Sequence, residues 1–190
     1  MIRSYEMPET LQRLLDIDNK LIEQHDKDFD AFFGACPCFE ADNGYSSTPD
    51  DAIIFLWTGA DGDHFAFLTE GDTVESLEHA PIVFIQPMDS EDPVKPVANN
   101  IKDFLALYIQ LQELYLFERL TYYETEEEFL NDYEDNYAED IRENEEERAI
   151  LIAAIKQAIE LPKIENVFAY MQEMKKWFQQ IRHRIEVARD

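Results

Sequence analysis

The chain has 190 residues, with 42 Asp and Glu against 16 Lys and Arg, a formal net charge of −26. Such a field repels phosphate backbones and anionic lipid, which argues against nucleic-acid and membrane partners and favours basic proteins. Apolar residues make up 45% of the chain, enough for a folded core, and five glycines are too few for a fold built on glycine-rich phosphate loops.

The N-terminal stretch MIRSYEMPETLQRLL lacks the apolar region of a secretory signal. No run approaches the roughly 20 apolar residues that a membrane span needs. The two cysteines, Cys36 and Cys38, are too close for a structural disulfide and suit a reducing compartment. A cytoplasmic protein is expected.

Residues 8–24, PETLQRLLDIDNKLIEQ, place Leu11, Leu14, Leu15, Leu21 and Ile22 near helical spacing, with Pro8 in the first turn. Residues 34–50 carry Gly, Pro, Asn and Ser signals and predict an irregular loop. Three strands are predicted next, at 52–57 (AIIFLW), 65–68 (FAFL) and 81–86 (PIVFIQ). Asp61-Gly62 between the first two predicts a tight antiparallel hairpin, because that turn needs positive φ.

Helices follow. Asn100 and Asp103 form a capping pattern ahead of a largely apolar helix, 101–120. Thr125 to Glu128 fits a capping box, and Phe129, Leu130, Tyr133, Tyr137 and Ile141 form one apolar stripe behind it. Between residues 122 and 147 there are thirteen Asp and Glu and one Arg. A buried helix over 149–161 ends at Pro162. The last helix spans 163–190, with Ile164, Val167, Met171, Met174, Phe178, Ile181 and Ile185 on a heptad seam. Met171, Phe178 and Ile181 are expected to pack on Ile152, Ile155 and Ile159 in a helical hairpin; a dimer seam is the alternative. The expected fold is α+β: a small, mainly antiparallel sheet packed by helices over residues 1–120, and an all-helical extension over 121–190 on the same body.

The segment TGADGDHFAFLTEG concentrates Asp61, Asp63, His64 and Asp72 beside an apolar run. Asp61, Asp63 and Glu70 do not fit the spacing of a calcium loop, and Cys36, Cys38, His25, His64 and His79 lack zinc spacing. No Walker loop, nucleophile elbow or dinucleotide fingerprint is present. Asp61, Gly62 and His64 are therefore read as a structural turn. No catalytic, metal-binding or cofactor-binding residue is assigned, and no cofactor is expected.

The stretches TGADGDHFAFLT, LEHAPIVFIQPMD and VKPVANNIKDFLALYI together resemble bacterial members of the SUKH superfamily. The features that carry the resemblance are Asp61, Gly62 and His64 in the turn, the run Phe65 to Leu68, and Pro81 with Ile82 and Val83. Pro87, Ala98 and Asn100 ahead of Phe104-Leu105, and STPD at 47–50, continue it. It covers residues 8–118. It implies an α+β fold, no catalytic residues, and for many bacterial relatives a role as an immunity protein that neutralises a toxin domain.

The function expected is a non-enzymatic cytosolic binding protein of immunity type, monomer or weak dimer, that covers a basic toxin domain. Its expected partner-binding face is the acidic segment, with Glu126, Glu127, Asp132, Glu134, Asp135, Glu139 and Asp140 pointing outward. A solvated helix face is the plainer reading of the same charges. The alternatives are a regulatory or scaffold protein, and an enzyme using Asp61, Asp63 and His64.

Overall fold

The computed structural model describes residues 5–40 and 44–185. Helix α1 (Glu9–His25) buries Leu11, Leu14, Ile17 and Leu21, while Ile22 is exposed and Leu15 half-buried. Pro8 is the N-cap rather than a first-turn residue and offers no side-chain cap. A distant carboxylate substitutes: Glu78 accepts from the Thr10 amide at 3.2 Å and from the Thr10 hydroxyl. Helix α2 (Phe29–Phe33) starts on Asp28, whose carboxylate accepts from Ala31 N, and stops at Gly34 with φ 80°.

Five strands form one antiparallel meander in sequence order: β1 (Cys36–Glu40), β2 (Ala52–Trp57), β3 (His64–Leu68), β4 (Ile82–Ile85) and β5 (Val94–Ala98). The three expected strands are β2, β3 and β4. The other two correct the expected loop over 34–50 and the expected connection before residue 100. Residues 41–43 of that expected loop lie outside the described residues. Both added strands carry a proline, Pro37 and Pro96, and both lie at an edge of the sheet. An edge strand tolerates a missing N–H that a central strand would not, so a turn signal in the sequence sits inside a strand.

The sheet is buried on both faces. On one, Phe55, Phe65, Phe67 and Phe84 join a core with α1, α2, α3 (Ile101–Leu111) and α4 (Leu116–Arg119). Phe104 of α3 lies 5.1 Å from Phe65 and 5.4 Å from Phe117, ring centre to ring centre. Helices α3 and α4 replace the single helix expected over 101–120, because Gln112 turns left-handed at φ 55° and ends α3. The Asn100 cap is present: its side chain accepts from Asp103 N at 2.9 Å.

The acidic segment is also two helices, α5 (Glu126–Asn136) and α6 (Ala138–Glu143), broken at Tyr137. The Thr125–Glu128 capping box opens α5. Within the stripe Phe129 and Ile141 are buried, but Leu130 is 55% exposed, against expectation.

The helical hairpin does not form. Helix α7 (Glu145–Ala158) lies on α1 and α2, whereas α8 (Val167–Ile181) runs beside β5 and covers the second face of the sheet. There Phe178 and Ile181 lie on Ile54, Ala66, Val83, Ile85 and Val94. Residues 159–166, Pro162 among them, are non-helical and carry the chain from one layer to the other. The seam residues Met171, Met174, Phe178 and Ile181 are all buried, Phe178 and Ile181 on the second face of the sheet, Met171 and Met174 in the core that also holds Ile155 and Ile159. Residues 186–190 of the expected last helix lie outside the described residues. Tyr170 fixes α8 in place, accepting from Asn99 N at 2.8 Å and donating to Asp103 at 2.6 Å. No described helix is long and apolar enough to cross a membrane.

Candidate functional site

The β2–β3 connection is a tight turn in which Asp63 N donates to Ala60 O at 2.8 Å. Its central residues, Asp61 and Gly62, have φ 48° and 79°, the doubly left-handed pattern that matches strand twist. A Cβ on Gly62 would collide with the Tyr45 ring.

His64 begins β3 and is fully buried. Its Nδ1 lies 2.7 Å from Gly62 O, which only accepts, so Nδ1 carries the proton. Nε2 then accepts from the Thr48 hydroxyl at 3.0 Å, and that oxygen accepts from Tyr45 N at 2.9 Å. Burial pushes the imidazole below its usual range, offset in part by the Gly62 carbonyl, and keeps it neutral. Both ring nitrogens are occupied by the loop and the turn that His64 joins.

Asp63, one residue earlier, turns to a different set of partners. Its Oδ2 accepts from Gln86 Nε2 at 3.1 Å, and Gln86 Oε1 accepts from Lys95 Nζ at 2.7 Å. Lys95 is 1% exposed and donates also to Asp89 at 2.8 Å and to the Asp92 carbonyl at 2.9 Å. All three ammonium hydrogens are thus used, which is what permits a lysine inside the protein. Burial raises the Asp63 pKa; the Gln86 bond opposes this, Glu118 and Asp61 add to it by repulsion, and Lys95 opposes it. The same ammonium lies 6.0 Å from the centre of the Tyr122 ring.

The four residues of the sequence segment therefore do not converge. Asp61 is exposed at the turn, Asp63 points to Gln86, and His64 points to Thr48. Asp72 lies beyond the other end of β3, where Thr69 Oγ1 is 3.4 Å from its carboxylate. Among the described residues, no group of three or more His, Cys, Asp and Glu is placed to hold a metal ion. Burial pushes the Cys38 thiol up to about 12 and raises Cys36, so neither is a thiolate at neutral pH.

The acidic segment is only partly outward. Asp132 points inward, 14% exposed, accepting from the Tyr123 hydroxyl and pairing with Arg119 at 3.2 Å; its expected outward position is corrected. Burial beside that carboxylate raises the Tyr123 pKa. Glu126 accepts from Asn166 at 2.6 Å, Glu134 pairs with Arg142 at 2.5 Å, and Asp140 pairs with Arg148 at 2.9 Å. Among the described residues, Glu127, Asp135 and Glu139 are exposed and have no ion-pair partner.

Gln86, Asp89, Lys95 and Tyr122 had no place in the expected site. One signal was available: Lys95 is a lone charge inside VKPV, with Asp89 and Asp92 just upstream. Comparisons of the chain with family models, with curated proteins and with solved structures found no match.

Proposed function

We propose that this chain is a non-enzymatic binding protein whose partner is a basic protein, and that it acts as an immunity-type inhibitor of a toxin domain. The observation that carries the reading is the charge left unneutralised on the surface. With a net charge of −26, the chain still leaves Glu127, Asp135 and Glu139 exposed and unpaired on α5 and α6. Such a surface speeds encounter with a cationic domain and opposes wrong, acidic partners. Domains that attack nucleic acid must hold phosphate and are therefore basic, which makes them fitting targets. The resemblance to SUKH immunity proteins points the same way.

The candidate acids and bases support a binding role over catalysis, since Asp63 and His64 are spent on different structural partners. The test is co-expression with basic effector domains encoded beside its gene. Protection from growth arrest, with a complex that weakens as salt rises, is the expected result. No protection, and no complex with any such domain, would overturn the reading.

A further inference from the structure

The turns β2–β3 and β4–β5 emerge at the same end of the sheet, since His64 pairs with Ile85 and Trp57 pairs with His64. Four large apolar side chains are exposed at this end: Tyr45 (49%), Met88 (78%), Tyr115 (39%) and Tyr122 (50%). Each is placed by the buried framework beneath it. Tyr45 stacks against His64 at 6.2 Å between ring centres and lies over Gly62. Burial raises the Tyr115 pKa, a hydrogen bond with Thr58 opposes this, and the nearby carboxylates of Asp63, Glu113 and Asp61 add to it. Tyr122 has Lys95 under one face of its ring and Asp92 and Asp89 at its side. Met88 projects from the turn closed by Asp89 N donating to Gln86 O at 3.0 Å.

These positions make one surface. The contacts Asp63–Gln86, Gln86–Lys95 and Lys95–Tyr122 join the β2–β3 turn to Tyr122, and Glu118 lies on α4 between Tyr115 and Tyr122. Exposed Tyr and Met over a rigid base, inside a rim of carboxylates, is the composition of an interface centre. The rim also chooses the occupant. Asp61 is exposed beside Tyr115 and Glu118 lies on α4 between the two tyrosines, while the nearby cations are committed: Lys95 is buried on Gln86 and Asp89, Arg182 pairs with Asp92 at 2.5 Å, and Arg119 pairs with Asp132 at 3.2 Å. A second copy of the chain would bring carboxylates against carboxylates. An Arg or Lys side chain would find acidic acceptors and the outer faces of tyrosine rings together.

We propose that this end of the sheet, centred on Tyr115 and Tyr122, is the docking surface for a basic protein segment that interleaves Arg or Lys with aliphatic residues. It rests on the reading of the chain as a binder of basic proteins and moves the binding centre from α5–α6 to the strand turns.

The test is a backbone-amide NMR titration of the full chain at physiological ionic strength. The probe is a short synthetic peptide of Arg and Leu, blocked at both ends. The expected result is a set of shifted amides confined to residues 60–63, 88–92 and 115–122. Tyr122→Ala and Met88→Lys should each weaken the peptide by about tenfold, while Tyr122→Phe, which keeps the ring, should bind as the parent does. Met88 is 78% exposed, so its variant keeps the test sound if Tyr122→Ala disturbs Lys95. Shifts confined to α5–α6 would overturn this surface and leave the basic-partner reading standing. Absence of binding anywhere would overturn both. Sedimentation showing a dimer that Met88→Lys dissociates would identify the surface as a self-contact and overturn the proposal.

Discussion

Carboxylates do different work in two regions of this molecule. At the end of the sheet, Asp63 is 6% exposed and belongs to a largely buried relay, Asp63–Gln86–Lys95–Asp89, in which the Lys95 ammonium and the Gln86 amide are both engaged. On α5 and α6, Glu134 and Arg142 form a 2.5 Å ion pair whose side chains are both 63% exposed. The second contact is shorter, yet water surrounds it and screens it. The first holds three strand ends together where burial limits how far water compensates a lost partner. Contact distance is thus a poor guide to which pair holds the fold, and burial a better one.

Breaking this buried relay at its centre, Lys95, should give the largest effect. Lys95→Met should lower stability by about 3 kcal/mol, because Gln86, Asp89 and the Asp92 carbonyl lose their shared donor. Urea unfolding measures this, and a loss below about 1 kcal/mol would mean that water takes the place of the ammonium. Gln86→Leu should cost somewhat less, about 1–3 kcal/mol, since it leaves the buried Asp63 carboxylate without its donor.

Asp63→Asn sharpens the comparison through pH. The folded protein raises the Asp63 pKa, chiefly by burial, so the stability that Asp63 contributes is complete below the ordinary carboxylate range. It is lost as pH rises through the raised value. The Asn variant has no such loss, so its stability relative to the parent should increase from acid toward neutral pH. A difference that stays flat across that window would show that Asp63 is solvated. The smallest effect belongs to the wet pair: Arg142→Met should change stability by no more than about 0.5 kcal/mol, and added salt should remove what difference there is.

The correct and incorrect sequence expectations divide along one line. Local chemistry was legible. The Asp61-Gly62 turn, the Asn100 cap and the Thr125–Glu128 box all rest on contacts within four residues, and all are present. The strands β2, β3 and β4 were legible because, apart from His64 at the start of β3, these central strands are apolar throughout. Strands β1 and β5 were not, because their prolines read as breakers until an edge position excuses them.

What the sequence determined by itself was therefore the inventory of turns, caps and central strands, together with the acidity of the surface. The tertiary structure alone decided where α8 lies. An apolar seam states only that it must be buried, and here the second face of the sheet takes its Phe178 and Ile181 while Met171 and Met174 enter the main core. It also decided that Lys95, in chain separated from Asp63 by 32 positions, would be its neighbour through Gln86. Side chains that meet across strands leave no short-range pattern, because their proximity is created by the register of the sheet.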